Sequence, residues 1–397
     1  MTTTINNEHK KLNVPNLRFP EFQGEWEEKR LSEIADLFKG NGISKEQLTD
    51  TGEPCILYGE LYTKYKSEVI SDIFSKTDID TRKLVKSKAN DVIIPCSGET
   101  AVDIATARCV PYDNILLGGD LNIIRLYDCD GSFVSYQLNG KRKYDLAKVA
   151  QGVSVVHLYG DHLKGVKTYN PCLEEQKKIA KLLSLLDERI ATQNKIIEDL
   201  KKLKSAIIEK LYKEIQGTWY SYRQLFSIIN ERNKLLEYSN VLSASQERGM
   251  VSREDLNLDI HFERSNISTY KIVKNGDYVI HLRSFQGGFA FSEKTGICSP
   301  AYTVLRPNNL LVYGYLSNYF TSRDFVKSLI IVTYGIRDGR SINVDEWLDM
   351  KVVIPSKEQQ THIVNVIESI ENKIKNEETY SNCLLNQKQY LLRQMFI

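Results

Sequence analysis

The sequence predicts an α+β protein: two α/β globular units separated by two long antiparallel helices, arranged as an internal pseudo-two-fold repeat. Three observations carry this prediction. A stretch from Pro171 to Tyr212 returns from Pro355 to Phe396 at a constant offset of 184 residues, with no gap. Identities at Pro171/Pro355, Glu174/Glu358, Gln176/Gln360, Ile179/Ile363, Ile190/Ile374, Leu200/Leu384 and Lys204/Lys388 mark it as a copy. The segments ahead of the two copies share weaker features, notably Asn90-Asp91-Val92-Ile93-Ile94 against Gly276-Asp277-Tyr278-Val279-Ile280. The period is far longer than the roughly 20–50 residues of solenoid repeats. It therefore reads as a duplicated half-protein.

The elements follow in order. Residues 1–23 read as a flexible lead-in. A first unit, 24–170, opens with Gly24-Glu25-Trp26 and a short helix over Leu31–Phe38. Strands are expected at Cys55–Tyr58, Asp91–Pro95 and Leu121–Tyr127, bounded by Gly, Pro, Asp and Asn. Short helices are expected at Ser132–Asn139 and Tyr144–Ala150. The first long helix occupies 171–216. A second unit, 217–354, opens with Gly217-Thr218-Trp219 and a helix through Leu225 and Ile228. The second long helix occupies 355–397.

Each long helix carries an apolar residue every 3.5 positions on average, the period of a coiled-coil seam. In the first copy the seam runs Ile179, Leu183, Leu186, Ile190, Gln193, Ile197, Leu200. In the second it runs Ile363, Ile367, Ile370, Ile374, Glu377, Ser381, Leu384. A proline just ahead and acids in the first turn suit a helix N-terminus. At about 1.5 Å per residue, such helices are rods of roughly 60 Å. The apolar stripes need partners, and each copy is the natural partner of the other. The middles are polar, so Gln193 and Glu377 are expected to face each other, fixing register at a cost in stability.

Composition bounds the function. At 42% hydrophobic and 26% charged the chain is an ordinary globular protein, with no apolar run of the ~18 residues a membrane span needs. The seven cysteines form no CxxC pair and read as reduced thiols, which with a polar N-terminus points to the cytoplasm. The net charge of +2 is weak for a nucleic-acid binder, so any such surface must be local or completed by a partner.

No catalytic constellation emerges. Phe38-Lys39-Gly40-Asn41-Gly42 matches FxGxG, a methyl-donor loop, but that loop needs a strand before it and a helix after it. A helix is expected before it here, and no Asn/Asp-Pro-Pro-aromatic motif follows. There is no GxxxxGK[ST] phosphate loop and no HExxH, and the six histidines lack metal-ligand spacing. A binding role therefore leads.

Several loops mix donors, aromatics and glycine, which suits contact with base edges and phosphates. In the first unit the candidates are Tyr58, Tyr62, Lys64, Ser97, Thr100, Lys141, Arg142, Gln151 and Ser154. In the second they are Ser245, Gln246, Arg248, Arg283, Gln286, Tyr334, Arg337, Arg340 and Ser341. The last loop aligns with Gln151–Ser154, each lying about 20 residues before its helix proline.

The motif Pro-x-x-Glu-x-Gln-x-x-Ile opening a long helix, present twice, with Gly-x-Trp opening each preceding unit, resembles the specificity subunit of type I restriction-modification systems. The resemblance spans nearly all of 17–397. The second copy departs slightly, reading Glu358-Gln359-Gln360 where the first reads Glu174-Glu175-Gln176. It implies that each unit is a target recognition domain reading one half of a bipartite, asymmetric duplex DNA target. The helices would space the half-sites and dock two modification subunits, adenine methyltransferases, with restriction subunits joining that core. The chain would be non-catalytic and carry no cofactor or metal; S-adenosylmethionine, ATP and Mg would sit on partner subunits. Two other readings remain open: a stand-alone DNA methyltransferase or nuclease, and a coiled-coil scaffold binding only protein.

Overall fold

The structure, a computed structural model, describes residues 12–152, 155–245, 248–256, 264–281, 288–334 and 341–397. The chain divides into two compact units, residues 1–194 with 379–397, and residues 195–378. Each unit holds one globular part and a stretch of each long helix.

The long helices span Leu173–Lys213 and Lys357–Gln394. Pro171 and Pro355 sit just ahead of them, and Gln176 and Gln360 explain why the start motif recurs. The buried Gln176 amide donates to the Pro171 carbonyl at 2.9 Å and accepts from the Asp130 N–H at 2.9 Å. Gln360 does the same, donating to the Pro355 carbonyl at 3.1 Å and the Leu310 carbonyl at 3.0 Å while accepting from the Val312 N–H at 2.8 Å. Buried backbone groups left without partners are costly, and one side chain here satisfies them on both the helix start and the globular part.

The seam residues are buried or half-buried as their spacing requires. Ile179 and Leu183 pack with Met395 and Phe396 in the first unit's core, and Ile363 and Ile367 pack with Ile208 in the second's. Polar cross-links show the helices antiparallel within each unit. In the first, Ser381 donates to Asn194 Oδ1 at 3.0 Å and Lys388 pairs with Asp187 at 2.5 Å. In the second, Lys201 pairs with Glu378 at 2.7 Å and Lys204 with Glu371 at 2.5 Å. The Lys388–Asp187 and Lys204–Glu371 pairs use positions 184 residues apart on each helix. Of the polar central pair, Gln193 is buried in the first unit, and Glu377 in the second pairs with Lys373 at 2.5 Å.

The globular parts share an antiparallel four-stranded sheet. In the first its order is Ala35–Lys39, Leu121–Leu126, Asp91–Pro95, Arg108–Val110. In the second it is Phe226–Ile229, Thr303–Pro307, Tyr278–Ile280, Phe289–Phe291. The matched segments around Asp91 and Asp277 occupy the same strand. Asp91 receives a two-pronged bond from Arg125 at 3.0 and 2.7 Å, and Asp277 one from Arg306 at 2.9 and 2.8 Å. Each aspartate also accepts from the backbone N–H three residues earlier at 2.8 Å. The residue before each has a left-handed backbone, Asn90 at φ 83° and Gly276 at φ 92°, a region asparagine and glycine tolerate. The first part adds a five-stranded sheet, in order Leu48–Thr49, Ser75–Thr77, Glu53–Ile56, Leu116–Leu117, Val85–Lys86.

Four expectations change. The helix expected over Leu31–Phe38 is one turn, Leu31–Ile34, followed by the strand Ala35–Lys39, which Leu121–Leu126 recruits as a sheet neighbour. Likewise the helix expected through Ile228 ends at Leu225 and continues as Phe226–Ile229. The two Gly-x-Trp openings are not equivalent. Glu27 pairs with Asn170 and Thr218 with Ile354, so Trp219 stands where Glu28 stands, not where Trp26 does. Trp26 is 1% exposed against Phe133 and Phe396, whereas Trp219 is 65% exposed. Finally, the described part of the lead-in is tied down. Arg18 grips the buried Glu175 carboxylate at 2.7 Å with two nitrogens, and Leu17 N–H bonds the Gln394 carbonyl at 2.9 Å.

Among the described residues no helix is long and apolar enough to cross a membrane. Burial pushes the thiols of Cys55 and Cys96 up to about 11 and those of Cys109 and Cys298 up to about 12, while Cys172 and Cys383 are exposed. Thiolate is the reactive form. Thiol labelling of the native protein at mildly alkaline pH should therefore mark Cys172 and Cys383 first. Those four buried cysteines should react only on unfolding; fast native labelling of any of them would contradict this packing.

Candidate nucleic-acid interface

In the first unit three of the expected loops converge on one cleft of about 790 Å³. The first is a turn closed by the short helix Glu60–Thr63. Its buried Glu60 carboxylate accepts from the Leu57 N–H at 2.9 Å and from the Ser75 hydroxyl. The Tyr62 phenol donates to the Ser97 carbonyl at 2.9 Å, joining this turn to the second loop. Burial pushes the Tyr62 phenol well above its usual range, so it stays a donor. Gly98 fits under it because a Cβ there would lie 3.0 Å from the Tyr62 oxygen and 3.1 Å from Ile104 Cβ. The strand Ser97–Gly98 pairs with Val156–His157, and the Ser97 hydroxyl lies 3.3 Å from His157 Nδ1.

Tyr58, Tyr62, Lys66, Arg108, Lys143 and Val155 line this cleft together with Glu99 and Asp103. Arg108 is buried, donating to the Tyr65 carbonyl at 3.2 Å and the Ala107 carbonyl at 2.9 Å. Burial lowers its pKa, and the charges of Glu68 and Asp187 oppose that shift. Aromatic faces beside cations and carboxylates can stack on, pair with and discriminate base edges, and can meet phosphates.

Three candidates are instead occupied by structure. Lys64 pairs with Glu60 at 2.7 Å and donates to the Ser75 hydroxyl at 2.9 Å. Thr100 caps the helix Ala101–Ile104, accepting from the Asp103 N–H at 3.1 Å and donating to the Asp103 carboxylate at 2.6 Å. Arg142 donates to the Ile397 main-chain oxygen at 2.8 Å, pairs with Asp145 at 3.2 Å and lies over the Tyr169 ring. Lys141 is exposed. Gln151 is exposed and bonds His157 through both backbone groups, at 2.9 and 2.7 Å.

Backbone pairing flanks both of the loops that precede the long helices. Gln151 bridges His157 in the first unit, and Thr333–Tyr334 pairs with Ser341–Ile342 in the second, with Tyr334 opposite Ser341. Both are short antiparallel closures on one loop. Tyr334 is exposed, and its hydroxyl donates to Glu346 at 2.7 Å. Ser245 Oγ accepts from the Arg248 N–H at 3.4 Å across the turn between Leu242–Ser245 and Gly249–Ser252, and Arg248 donates to the Asp255 carbonyl at 3.4 Å. Ser154, Gln246, Arg283, Gln286, Arg337 and Arg340 lie outside the described residues.

The FxGxG match has a packing explanation. A strand, Ala35–Lys39, precedes Gly40, contrary to expectation, but only the three-residue turn Lys45–Gln47 follows. A Cβ on Gly40 would meet the Gly118 carbonyl oxygen at 2.0 Å, so glycine there serves a close backbone approach. Among the described residues no group of three His, Cys, Asp or Glu could hold a metal ion.

Comparison with known proteins fits this geometry. The model of the "Type I restriction modification DNA specificity domain" matches residues 23–202, the first globular part and most of its helix. The chain is similar to the specificity subunits of type I restriction-modification systems. It is 25% identical to the type I restriction enzyme MjaVIII specificity subunit of Methanocaldococcus jannaschii, covering 90% of this chain and 88% of that one. It is 23% identical to the putative MjaX specificity subunit of the same organism, covering 92% and 91%. Its fold is similar to a type I restriction-modification S subunit from M. genitalium, with a TM-score of 0.57 at 16% identity over 97% of this chain and 99% of that one. A chain from a structural study of type I complex assembly and conformational transition matches with a TM-score of 0.59 at 15% identity, over 94% and 97%. The cleft is where this chain gathers side chains suited to contact with base edges and phosphates.

Lys143 brings the expected Lys141–Lys143 loop to the cleft, while sequence reasoning missed Arg108, Lys66 and Val155, which reach it only through folding. It also named Lys204 and Lys388 without their acids. Asp187 and Glu371, at the same offset of 184, were the signal that could have found them. The two kinds of side chain should separate experimentally. Tyr58→Ala with Lys143→Ala should weaken DNA binding by the assembled complex while leaving stability within about 0.5 kcal/mol. Thr100→Ala, removing a helix cap, should cost about 1 kcal/mol of stability in denaturant titration and leave affinity nearly unchanged. The reverse pattern would displace the cleft as the interface.

Proposed function

We propose that this chain is the non-catalytic recognition subunit that reads a bipartite, asymmetric duplex DNA target, one half-site per globular unit. The observation that carries this reading is the contrast between shared joints and unshared surfaces. Both units attach to their long helix through the same buried glutamine, Gln176 or Gln360, and share the aspartate–arginine clamp at Asp91 or Asp277. Their loop sequences differ, as two different half-sites require.

In this reading the paired helices set the distance between half-sites. They also present a docking face for two adenine methyltransferase subunits, which bring S-adenosylmethionine. Restriction subunits using ATP and Mg join that core. Partner subunits then supply phosphate contacts that a chain of net charge +2 lacks, and such contacts dominate non-specific affinity. A cytoplasmic location follows from this role.

Exchange of residues 24–170 for the equivalent unit of a relative tests the reading. The packing of Trp26 and Phe133 against Phe396, and of Leu138 and Leu163 within the core that holds Ile179 and Leu183, must be kept for the graft to fold. The modified sequence should then change in one half-site, with the other half-site and the spacing preserved. A change in both half-sites would refute the division of labour, and an unchanged target would remove the first unit from recognition.

A further inference from the structure

The first unit contains an ion cluster that its counterpart lacks among the described residues. Lys388, on the second long helix, has its ammonium 2.5 Å from Glu68 Oε2 and 2.5 Å from Asp187 Oδ1. All three side chains are largely buried: 13% of Lys388, 10% of Glu68 and 8% of Asp187 is exposed. The Tyr136 hydroxyl donates to Asp187 Oδ2 at 2.7 Å. Arg108 interacts electrostatically with both acids, so two cations balance two anions. One lysine thus joins the second long helix, the first long helix and the globular part.

The globular end of this clamp is continuous with the cleft. Glu68 follows Lys66 of the cleft wall by two residues, and its carbonyl accepts from the Cys109 N–H at 2.8 Å and the Ser135 hydroxyl at 2.9 Å. Arg108, a cleft-lining residue, is next to Cys109. The second unit repeats only the helix-to-helix part of this arrangement. Lys204 pairs with Glu371, both are more exposed at 26% and 43%, and among the described residues no ion pair ties Lys204 to the globular part.

We propose that Lys388 is a positioning residue for target recognition: it fixes the first recognition cleft to the long helices and so sets the half-site spacing that the complex accepts. The inference rests on the functional reading above. Buried ion pairs contribute little net stability against apolar replacements, and fixing register is their best-attested use. A cluster that spans three elements constrains the angle and height of the cleft on the helices, which apolar packing alone leaves freer to slide. Burial raises the pKa of Asp187, and the Lys388 charge opposes that shift.

The test measures adenine methylation by the assembled complex on targets whose half-site gap is native, one base pair longer or one base pair shorter. Misplacement by even 1 Å can cost about 100-fold in rate, so the native protein should disfavour the altered gaps by at least that factor. Lys388→Met leaves two acids without their nearest cation and risks unfolding. The decisive variant is therefore Glu68→Gln/Asp187→Asn/Lys388→Met, which removes both Lys388 ion pairs with similar side-chain shapes and leaves Arg108 on the Tyr65 and Ala107 carbonyls. It should recognise the same two half-site sequences while its spacing preference falls to about 10-fold or less. Lys204→Met, which breaks the pair without a globular partner, should keep the native spacing preference.

The proposal is overturned if the triple variant keeps the native preference or if Lys204→Met relaxes it equally. It is also overturned if the triple variant fails to assemble while Lys204→Met assembles, since the cluster would then serve folding. If the native complex itself shows no dependence on two spaced half-sites, the underlying reading fails rather than this proposal.

Discussion

The apolar seam of the two long helices is the constraint on which the rest of the structure depends. A helix of 41 residues with an apolar stripe draws most of its stability from burying that stripe. Within each unit the seam is buried in a globular core, and polar pairs tie the two helix stretches together beside it. Ile179 and Leu183 belong to the core that contains Trp26 and Phe133, and Ile363 and Ile367 to the core that contains Tyr222 and Trp347. The globular parts are therefore not beads on a string. Each is completed by side chains from two helices, one arriving and one leaving. This couples each globular part to its helices mechanically, because a cleft built on such a core cannot rotate freely on them.

The joints show how one architecture can carry two different surfaces. Gln176 and Gln360 saturate backbone groups on both sides of the helix start, a requirement independent of any target. Asp91 and Asp277 hold their arginines and a tight turn in the same way. These interactions are buried and local, so a substitution in an outer loop leaves them intact. Among the described residues of the outer loops, the two units share the backbone pairing at Gln151–His157 and Tyr334–Ser341.

The parts legible in the sequence were those governed by periodicity. The long helices, their starts and the strands Asp91–Pro95 and Leu121–Leu126 follow from apolar spacing and punctuation, which act locally. The short segments at Leu31 and Tyr222 were harder, because Ala35–Lys39 and Phe226–Ile229 become strands only through pairing with Leu121–Leu126 and Thr303–Pro307. Trp26 and Trp219 misled because identical letters two register positions apart serve opposite environments. Loop composition pointed to loops that meet at one cleft but did not reveal which of their side chains are already engaged. Lys64, Thr100 and Arg142 look like free donors in the sequence, yet their partners Glu60, Asp103 and Ile397 claim them in the fold. Arg108 carries no local signal at all, since only folding brings a strand residue between Ala107 and Cys109 to the cleft.

The central claim is that the chain reads two separate short sequences at a fixed distance. Genome-wide mapping of methylated adenines in a host carrying this protein with its modification partners tests it most directly. The account predicts a motif of two unlike short half-sites separated by a gap of fixed length and unspecified sequence, lost when this chain is deleted. A single continuous motif, or methylation that persists unchanged without this chain, would contradict it.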